Sequence, residues 1–421
     1  MEKLTGFVAE HLNDNLTRLI LDRARWPEID MDLAISCIES RRKLKGKVQE
    51  WYDEKELIFP SKLSAEQCSS SATAAYKAEL AGRIAGNGSC PSSSWNIADL
   101  TGGLGVDSWI FSRKASAVLY NEMQEALCKA ASHNFSILGA DNICVSNKAV
   151  SPKGILEGTS PEELLSGFHA DIIYMDPARR GEGGRKVFLI EECTPDVLTL
   201  KKELFGICRH LLIKLSPMAD ISMVCERLGR TCREVHVVAA GGECKELLIW
   251  MDREWNDGYE IIAAELQKDG TVSEFRFDPQ EETLSKDCIT TADPNGSFLF
   301  EPGKALMKAG AFNTIAKRFR LDKLGQSTHY YMSDELEKAE SLMKHGKVFR
   351  IIQALPLDKR TIKEIGKTYP KAEVTARNIP MDTDTLRKKL GAASGDDIHI
   401  FGLRSDLSGN ILLVTSKYNG V

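Results

Sequence analysis

The sequence predicts an α/β chain: helices first, then a mostly parallel sheet, then a small α+β module. Three observations carry this. Through residues 1–60 apolar residues recur at three- and four-residue intervals among charges, the period of amphipathic helices. From Trp95 to Asp252 short apolar runs of strand type alternate with helical segments, which argues for parallel strands with helices on both faces. Around "TTADPNGSFLFEP" the pattern breaks, and helices and strands are mixed beyond it. A chain of 421 residues exceeds what one core supports, so two or three domains are expected. Their bounds fall at 1–88, 89–285 and 290–421.

The elements follow in order. "EHLNDNLTRLILDRARW" and "MDLAISCIESRRKLKGKVQEWY" read as helices, and "FPSKLSAEQCSSSATAAYKAELAGRI" as a loop, a cap at Ser64 and a further helix. "GNGSCPSSSW" is a linker by composition. Strands are expected at "WNIADL", "AVLYN", "ICVSN", "DIIYMD", "LLIKLS", "EVHVVAA" and "ELLIWMD". Only "GGECK" separates the last two, too little for a helix, so they pair antiparallel. Asp-Gly in "AAELQKDGTVSEFRF" marks one more hairpin, expected to extend the sheet. Helices at "PGKALMKAGAFNTIAKRF" and "SDELEKAESLMKHG" and strands at "VFRIIQAL", "AEVTAR", "DIHIFGLR" and "ILLVTSKY" build the closing module.

The formal net charge of −5 gives no reason to invoke nucleic acid, but its distribution does. From Glu301 onward 21 Lys+Arg stand against 14 Asp+Glu, about +7, leaving about −12 before it. The eleven cysteines include no CxxC pair, and nothing completes a zinc set around Cys225 and Cys232, so reduced thiols and no metal are expected. The start "MEKLTGFVAEHLNDN" lacks the apolar core of a signal peptide, and no run approaches membrane-spanning length. A cytoplasmic chain is the expectation.

"DLTGGLGVD", Asp99 to Asp107, places glycines between a strand and a helix, where a backbone must admit a ligand. A dinucleotide fold wants G-x-G-x-x-G and an acidic residue about twenty positions on. Glu122 meets the second demand, but Ser108 stands in place of the third glycine. Asp99 before the turn would repel a pyrophosphate, and no Gly-Lys-Ser/Thr follows for a P-loop. S-adenosylmethionine (SAM), with a cationic amino acid end and a ribose, fits better. Asp99 is expected to face the cationic end and Glu122 to accept both ribose hydroxyls. The cofactor set is Asp99, Thr101, Gly102, Gly103, Gly105, Asp107, Glu122 and Met123. "ADIIYMDPARRG" ends a second strand on Asp176-Pro177 at the same sheet edge, where ligands of such sheets bind. Asp176 can accept a hydrogen bond from a nucleophile, and Pro177 fixes the backbone beside it.

The order "DLTGGLGVD … NE … DPARR" resembles class I SAM-dependent methyltransferases, whose amino-methylating members carry D/N-P-P-aromatic where Asp176-Pro177 stands. A longer resemblance is to bacterial methyltransferases with a C-terminal THUMP-like domain. It runs through "LSAEQCSSSATAAYKA", "DPARRGEGGRKVF", "IKLSP", "GGECKELLIW", "FLFEPGKALMKAG" and "TARNIPMDTDTLRKKLG". The core with "LSAEQ" is also similar to trimethylguanosine synthases. The resemblance implies a Rossmann-like seven-stranded sheet, SAM ligands at Asp99, Gly103, Gly105 and Glu122, and Ser64 and Gln67 near the pocket. Two departures stand out. The base-sandwiching aromatic is replaced by Arg179, whose guanidinium plane can stack on a base. "DPAR" also occurs in RNA uridine-C5 methyltransferases, but Leu215 stands where their cysteine would be.

The expectation is therefore methyl transfer to a base in structured RNA, at nitrogen, with Asp176, Pro177 and Arg179 at the chemistry. Arg180, Lys186, Arg318 and Arg320 are expected to hold RNA. RNA rests on the THUMP-like resemblance and the basic last third. A SAM-binding RNA adaptor, or a methyltransferase acting on a small molecule or protein, are the alternatives.

Overall fold

The computed structural model describes residues 2–86, 94–153, 158–179, 190–286, 294, 298–395 and 397–420. The chain forms two compact units, Met1–Val235 with Lys245–Tyr259, and His236–Cys244 with Glu260–Val421. The helical residues that open the chain thus share a unit with the glycine turn, and the Asp269-Gly270 hairpin falls in the second unit.

The first unit opens with helices α1 (Glu2–Glu10), α2 (Leu16–Leu21), α3 (Met31–Leu44), α4 (Gln49–Asp53), α5 (Lys62–Gln67) and α6 (Ser71–Ala85). Leu4, Phe7, Val8, Leu19, Ala34 and Ile38 bury the apolar stripes of the first three against one another and against Ala130. The cap expected at Ser64 is made by other serines. Ser61 caps α5 by accepting from the Ser64 amide, and Ser70 caps α6 in a box with Thr73. The run breaks between them because the helix stops at Gln67 and must restart.

Alternation then follows: β1 (Asn96–Asp99), α7 (Val106–Ser112), β2 (Ala117–Asn121), α8 (Glu125–Ile137), β3 (Ile143–Ser146), α9 (Pro161–Leu164), β4 (Ile172–Met175), β5 (Ala178–Arg179), β6 (Cys193–Thr194), α10 (Val197–Ile207), β7 (His210–Leu215), α11 (Ile221–Leu228), β8 (Cys232–Ala240) and β9 (Glu243–Asp252). The strands lie in the order β8-β9-β7-β4-β1-β2-β3, all seven expected segments having formed, and beyond β8 the hairpin over residues 260–277 extends the sheet to nine strands, as its Asp-Gly turn led one to expect. From β3 to β7 every pair is parallel, and β9 is antiparallel to β7. Gly241 and Gly242 turn β8 into β9 with φ of 61° and 81°, the paired left-handed conformations of a tight hairpin turn. The central strands are mostly apolar and buried, Ile97, Ala98, Ile172, Ile173, Leu211, Leu212 and Ile213 having no exposure, as helix-covered parallel strands must be.

The second unit has a hairpin of β10 (Glu260–Leu266) and β11 (Val272–Phe277), then α12 (Pro279–Ser285), β12 (Phe298–Pro302), α13 (Lys304–Ala309), α14 (Thr314–Phe319), β13 (Asp322–Lys323), β14 (Tyr331–Ser333), α15 (Leu336–Leu342), β15 (Gly346–Pro356), α16 (Lys359–Thr368), β16 (Glu373–Arg377), α17 (Thr383–Leu390), β17 (Ile398–Ser405) and β18 (Gly409–Lys417). Its seven-stranded sheet runs β13-β14-β12-β15-β18-β17-β16. Ile362 and Ile365 of α16 and Leu386 and Leu390 of α17 pack with Val374, Ile400 and Val414. No helix among the described residues is long and apolar enough to cross a membrane.

Candidate active site

β1 delivers the chain at Asp99 into a turn that ends where α7 begins. Gly103 and Gly105 have φ of 55° and 94°, which only glycine adopts without strain. Gly102 answers a different demand, since a Cβ there would lie 2.1 Å from the Tyr120 ring. That ring holds the turn from below, its hydroxyl donating to the Gly103 carbonyl at 2.7 Å.

Asp99 is 1% exposed. Its Oδ1 accepts from the Thr101 amide at 3.1 Å and its Oδ2 from the Ser108 hydroxyl at 2.6 Å. Burial pushes its carboxyl up to about 7, against the pull of the Ser108 hydrogen bond. Asp99 therefore builds the turn from beneath. Ser108, in place of a third glycine, is the residue that makes this possible. Thr101 links two loops, its Oγ1 accepting from the Asp176 amide at 2.6 Å.

Glu122 lies just past β2 and comes back to the turn. Its Oε2 accepts from the Gly103 amide at 2.9 Å and its Oε1 from the Gln124 amide at 2.8 Å. One acceptor site remains on each oxygen, the pattern that the two hydroxyl donors of a ribose diol require, so these acceptors fit the nucleoside half of SAM. Met123 beside it is 50% exposed.

Asp107 points elsewhere. Its Oδ2 accepts from Ser69 at 3.0 Å and from the Tyr174 hydroxyl at 2.8 Å, and its Oδ1 lies 3.2 Å from Lys77 Nζ. Burial pushes Asp107 up, but Lys77, Lys214 and these hydrogen bonds overcome it and hold the carboxyl below its usual range. Lys77, on α6, has no exposed side chain and also donates to both oxygens of Glu246, at 3.0 and 3.1 Å.

Across the sheet Asp176 follows β4, with Pro177 buried behind it. Met175 pairs with Ile213, so the next residue on each strand, Asp176 and Lys214, stand opposite each other, and Lys214 Nζ donates to Asp176 Oδ2. β5 then pairs Ala178 with Thr194 and Arg179 with Cys193, fixing the backbone at Arg179. Arg180 and Lys186 lie outside the described residues. Burial pulls the Lys214 ammonium down, but Asp176, Glu246 and Asp107 more than reverse this and hold it above the ordinary lysine range.

The structure thus brings Gly102, Gly103, Gly105, Glu122, Thr101, Asp176 and Pro177 to one sheet edge, and turns Asp99 and Asp107 inward. Arg318, in the second unit, is engaged in its own fold: it grips both oxygens of Glu281, donates to the Arg276 carbonyl at 2.6 Å and covers the Phe275 ring. Arg320 is exposed at the end of α14. Sequence reasoning missed Lys77, Lys214 and Glu246. Their signal was there: Lys77 sits on the apolar stripe of its helix, and the other two interrupt apolar strands.

Sheet order, glycine turn and the carboxylate after the second strand define a class I methyltransferase fold joined to a C-terminal THUMP-like domain. The chain belongs to one family with a protein from Porphyromonas gingivalis W83 whose crystal structure is described as a "putative methyltransferase". Identity is 30% over 99% of this chain and 98% of that one, with a TM-score of 0.82. Residues 298–339 match a ferredoxin-like domain family and residues 346–417 a THUMP domain-like family. An rRNA methylase from Streptococcus thermophilus matches at 13% identity over 42% of this chain and 93% of its own, TM-score 0.29. A methyltransferase from Geobacter sulfurreducens matches at 15% over 42% and 77%, TM-score 0.28. No curated protein matches.

Proposed function

We propose that this protein is a SAM-dependent methyltransferase acting on a nitrogen of a base in structured RNA. The observation that carries the reading is the sheet edge on which the Gly103 turn, Glu122 and Asp176 meet within this fold. When bound, SAM supplies an electrophilic methyl group to a nucleophile placed in line with it. The chain's own work is alignment. Glu122 would hold the ribose hydroxyls, Met123 would offer an apolar surface to the flat base, and the glycine backbone would take the amino acid end. Asp176 accepts a hydrogen bond from the attacking nitrogen, an interaction that strengthens as that nitrogen becomes positive. Arg179, which stands in sequence where related enzymes carry the base-sandwiching aromatic, is the residue assigned to the target base.

RNA as substrate rests on the THUMP-like match and on the net charge of about +7 that the chain carries from Glu301 onward. With Arg318 engaged internally, the phosphate-facing role passes to α16. Lys359, Lys363 and Lys367 recur at four-residue spacing on its exposed side, and Lys371 follows, opposite the buried Ile362 and Ile365. Such a face grips phosphate without reading bases and leaves selection to the pocket. The test is mass spectrometry of nucleosides in RNA from a strain lacking the gene, with and without complementation. One methylated nucleoside that disappears and returns supports the reading. An unchanged nucleoside profile turns the substrate toward a protein or small molecule.

A further inference from the structure

We propose that Lys214 is a positioning residue: it fixes the Asp176 carboxylate so that one oxygen is held and the other is presented at the sheet edge. The proposal rests on the methyltransferase reading and narrows it to target atoms that carry hydrogen.

The geometry is set by register. β4 and β7 are parallel neighbours, and the residues that follow the Met175–Ile213 pair are Asp176 and Lys214. The Asp176 main chain is tied by its amide to Thr101, but that bond leaves the carboxylate free to turn. Among the described residues Lys214 is the one partner of its oxygens. The two ends of the ion pair are unequal, Lys214 being 13% exposed and Asp176 38% exposed. The buried end is the cation, so the ammonium anchors and the carboxylate faces out.

Lys214 stays with Asp176 because the competing carboxylates are occupied. Lys214 pairs with Leu248 on β9, and Glu246 is two residues along the same face. Glu246 and Asp107 would both draw the ammonium inward, but Lys77 holds Glu246 at 3.0 Å and Asp107 at 3.2 Å from beneath α6. The arrangement alternates: Lys77, then Glu246 and Asp107, then Lys214, then Asp176. A carboxylate with a cation on one oxygen offers only acceptor sites on the other. It suits an amino group, which donates N–H, and gives nothing to a ring nitrogen that presents a lone pair alone.

The test measures tritiated-methyl transfer from SAM to total RNA of a strain lacking the gene. Lys214→Met is expected to lower the rate at saturating RNA about 100-fold, with half-saturating RNA and calorimetric SAM affinity within about threefold of wild type. Lys214→Arg, which keeps charge and donors, is expected to recover to within about tenfold. A Lys214→Met rate equal to wild type, or an Arg variant as slow as Met, overturns the proposal. Should the Met variant not fold, Lys214→Gln replaces it with the same expectation. If the wild type binds SAM but transfers no methyl to this RNA, the RNA reading fails on its own. Crystal structures of the two variants then decide Lys214: an Asp176 carboxylate displaced in Met and retained in Arg supports it, and one unmoved in Met overturns it.

Discussion

The Gly103 amide donates to Oε2 of Glu122 at 2.9 Å, tying the turn after β1 to the end of β2. One carboxylate thereby holds the glycine backbone and, through the Gln124 amide, the chain that follows β2. On the proposed reading, replacing Glu122 by Ala would remove two ribose hydrogen bonds to a charged group, worth about 1.5–3 kcal/mol. SAM affinity is expected to fall roughly ten- to a hundred-fold by calorimetry. Unchanged affinity in a folded variant would remove the ribose assignment, and preferential binding of NAD by the wild type would restore a dinucleotide reading.

Asp99 gives a pH signature. Its carboxyl is raised from 3.8 to about 7 by burial. Between those values the folded chain keeps a proton that the unfolded chain has released, so this group's stabilisation is present below 3.8 and is lost as pH rises through 7. Asp99→Asn has no such proton and can still pair with Thr101 and Ser108. Relative to wild type, the Asn variant should gain stability from pH 4 to 7 by up to about 1.4 kcal/mol per pH unit, then level off. Urea titrations across that range measure it, and a constant difference would mean that Asp99 does not titrate there.

The strand sequence made the sheet legible because each buried strand is a short apolar run bounded by turn residues, and "GGECK" left no room for a crossover. The glycine turn was legible for another reason, since φ and close approach dictate residue type. The direction of a side chain was not. Asp99 and Asp107 were assigned to the ligand because both flank the glycines, yet helix placement turns them toward Ser108 and Lys77. Lys77, Lys214 and Glu246 meet from α6, β7 and β9, and no local spacing encodes that meeting. Arg318 was assigned to RNA from its place in a basic cluster, because its partner Glu281 lies on another helix and no local spacing shows the pair.

Lys77 is the cation on which this meeting depends. Its side chain has no exposure and its removal leaves Glu246 and Asp107 buried with one cation fewer. Lys77→Met should destabilise the chain by about 3–5 kcal/mol, the cost of an uncompensated buried charge. Adding Glu246→Leu should restore part of that, because an apolar pair needs no desolvation to be offset. Denaturant midpoints of the single and double variants measure both. A double variant no better than the single would show that Asp107, not Glu246, carries the penalty.

The basic residues of the second unit separate into two kinds, and salt dependence tells them apart. Lys363 and Lys367 are exposed on α16, and no carboxylate is paired with them among the described residues. Arg318 grips Glu281 and the Arg276 carbonyl. Each phosphate that a lysine neutralises contributes about 0.7–0.9 log units of affinity per tenfold change in salt. Charge reversal of Lys363 and Lys367 in the full chain should therefore weaken structured RNA and flatten its salt slope, while leaving SAM affinity as it was. Arg318→Ala should do the opposite, lowering the thermal midpoint through the lost contacts with α12 and Phe275 while keeping the slope. Filter binding from low to physiological salt, beside thermal melts, checks both. A slope that falls for Arg318→Ala and holds for the lysine variants would place the phosphate contacts on α14 and leave α16 a solvated face.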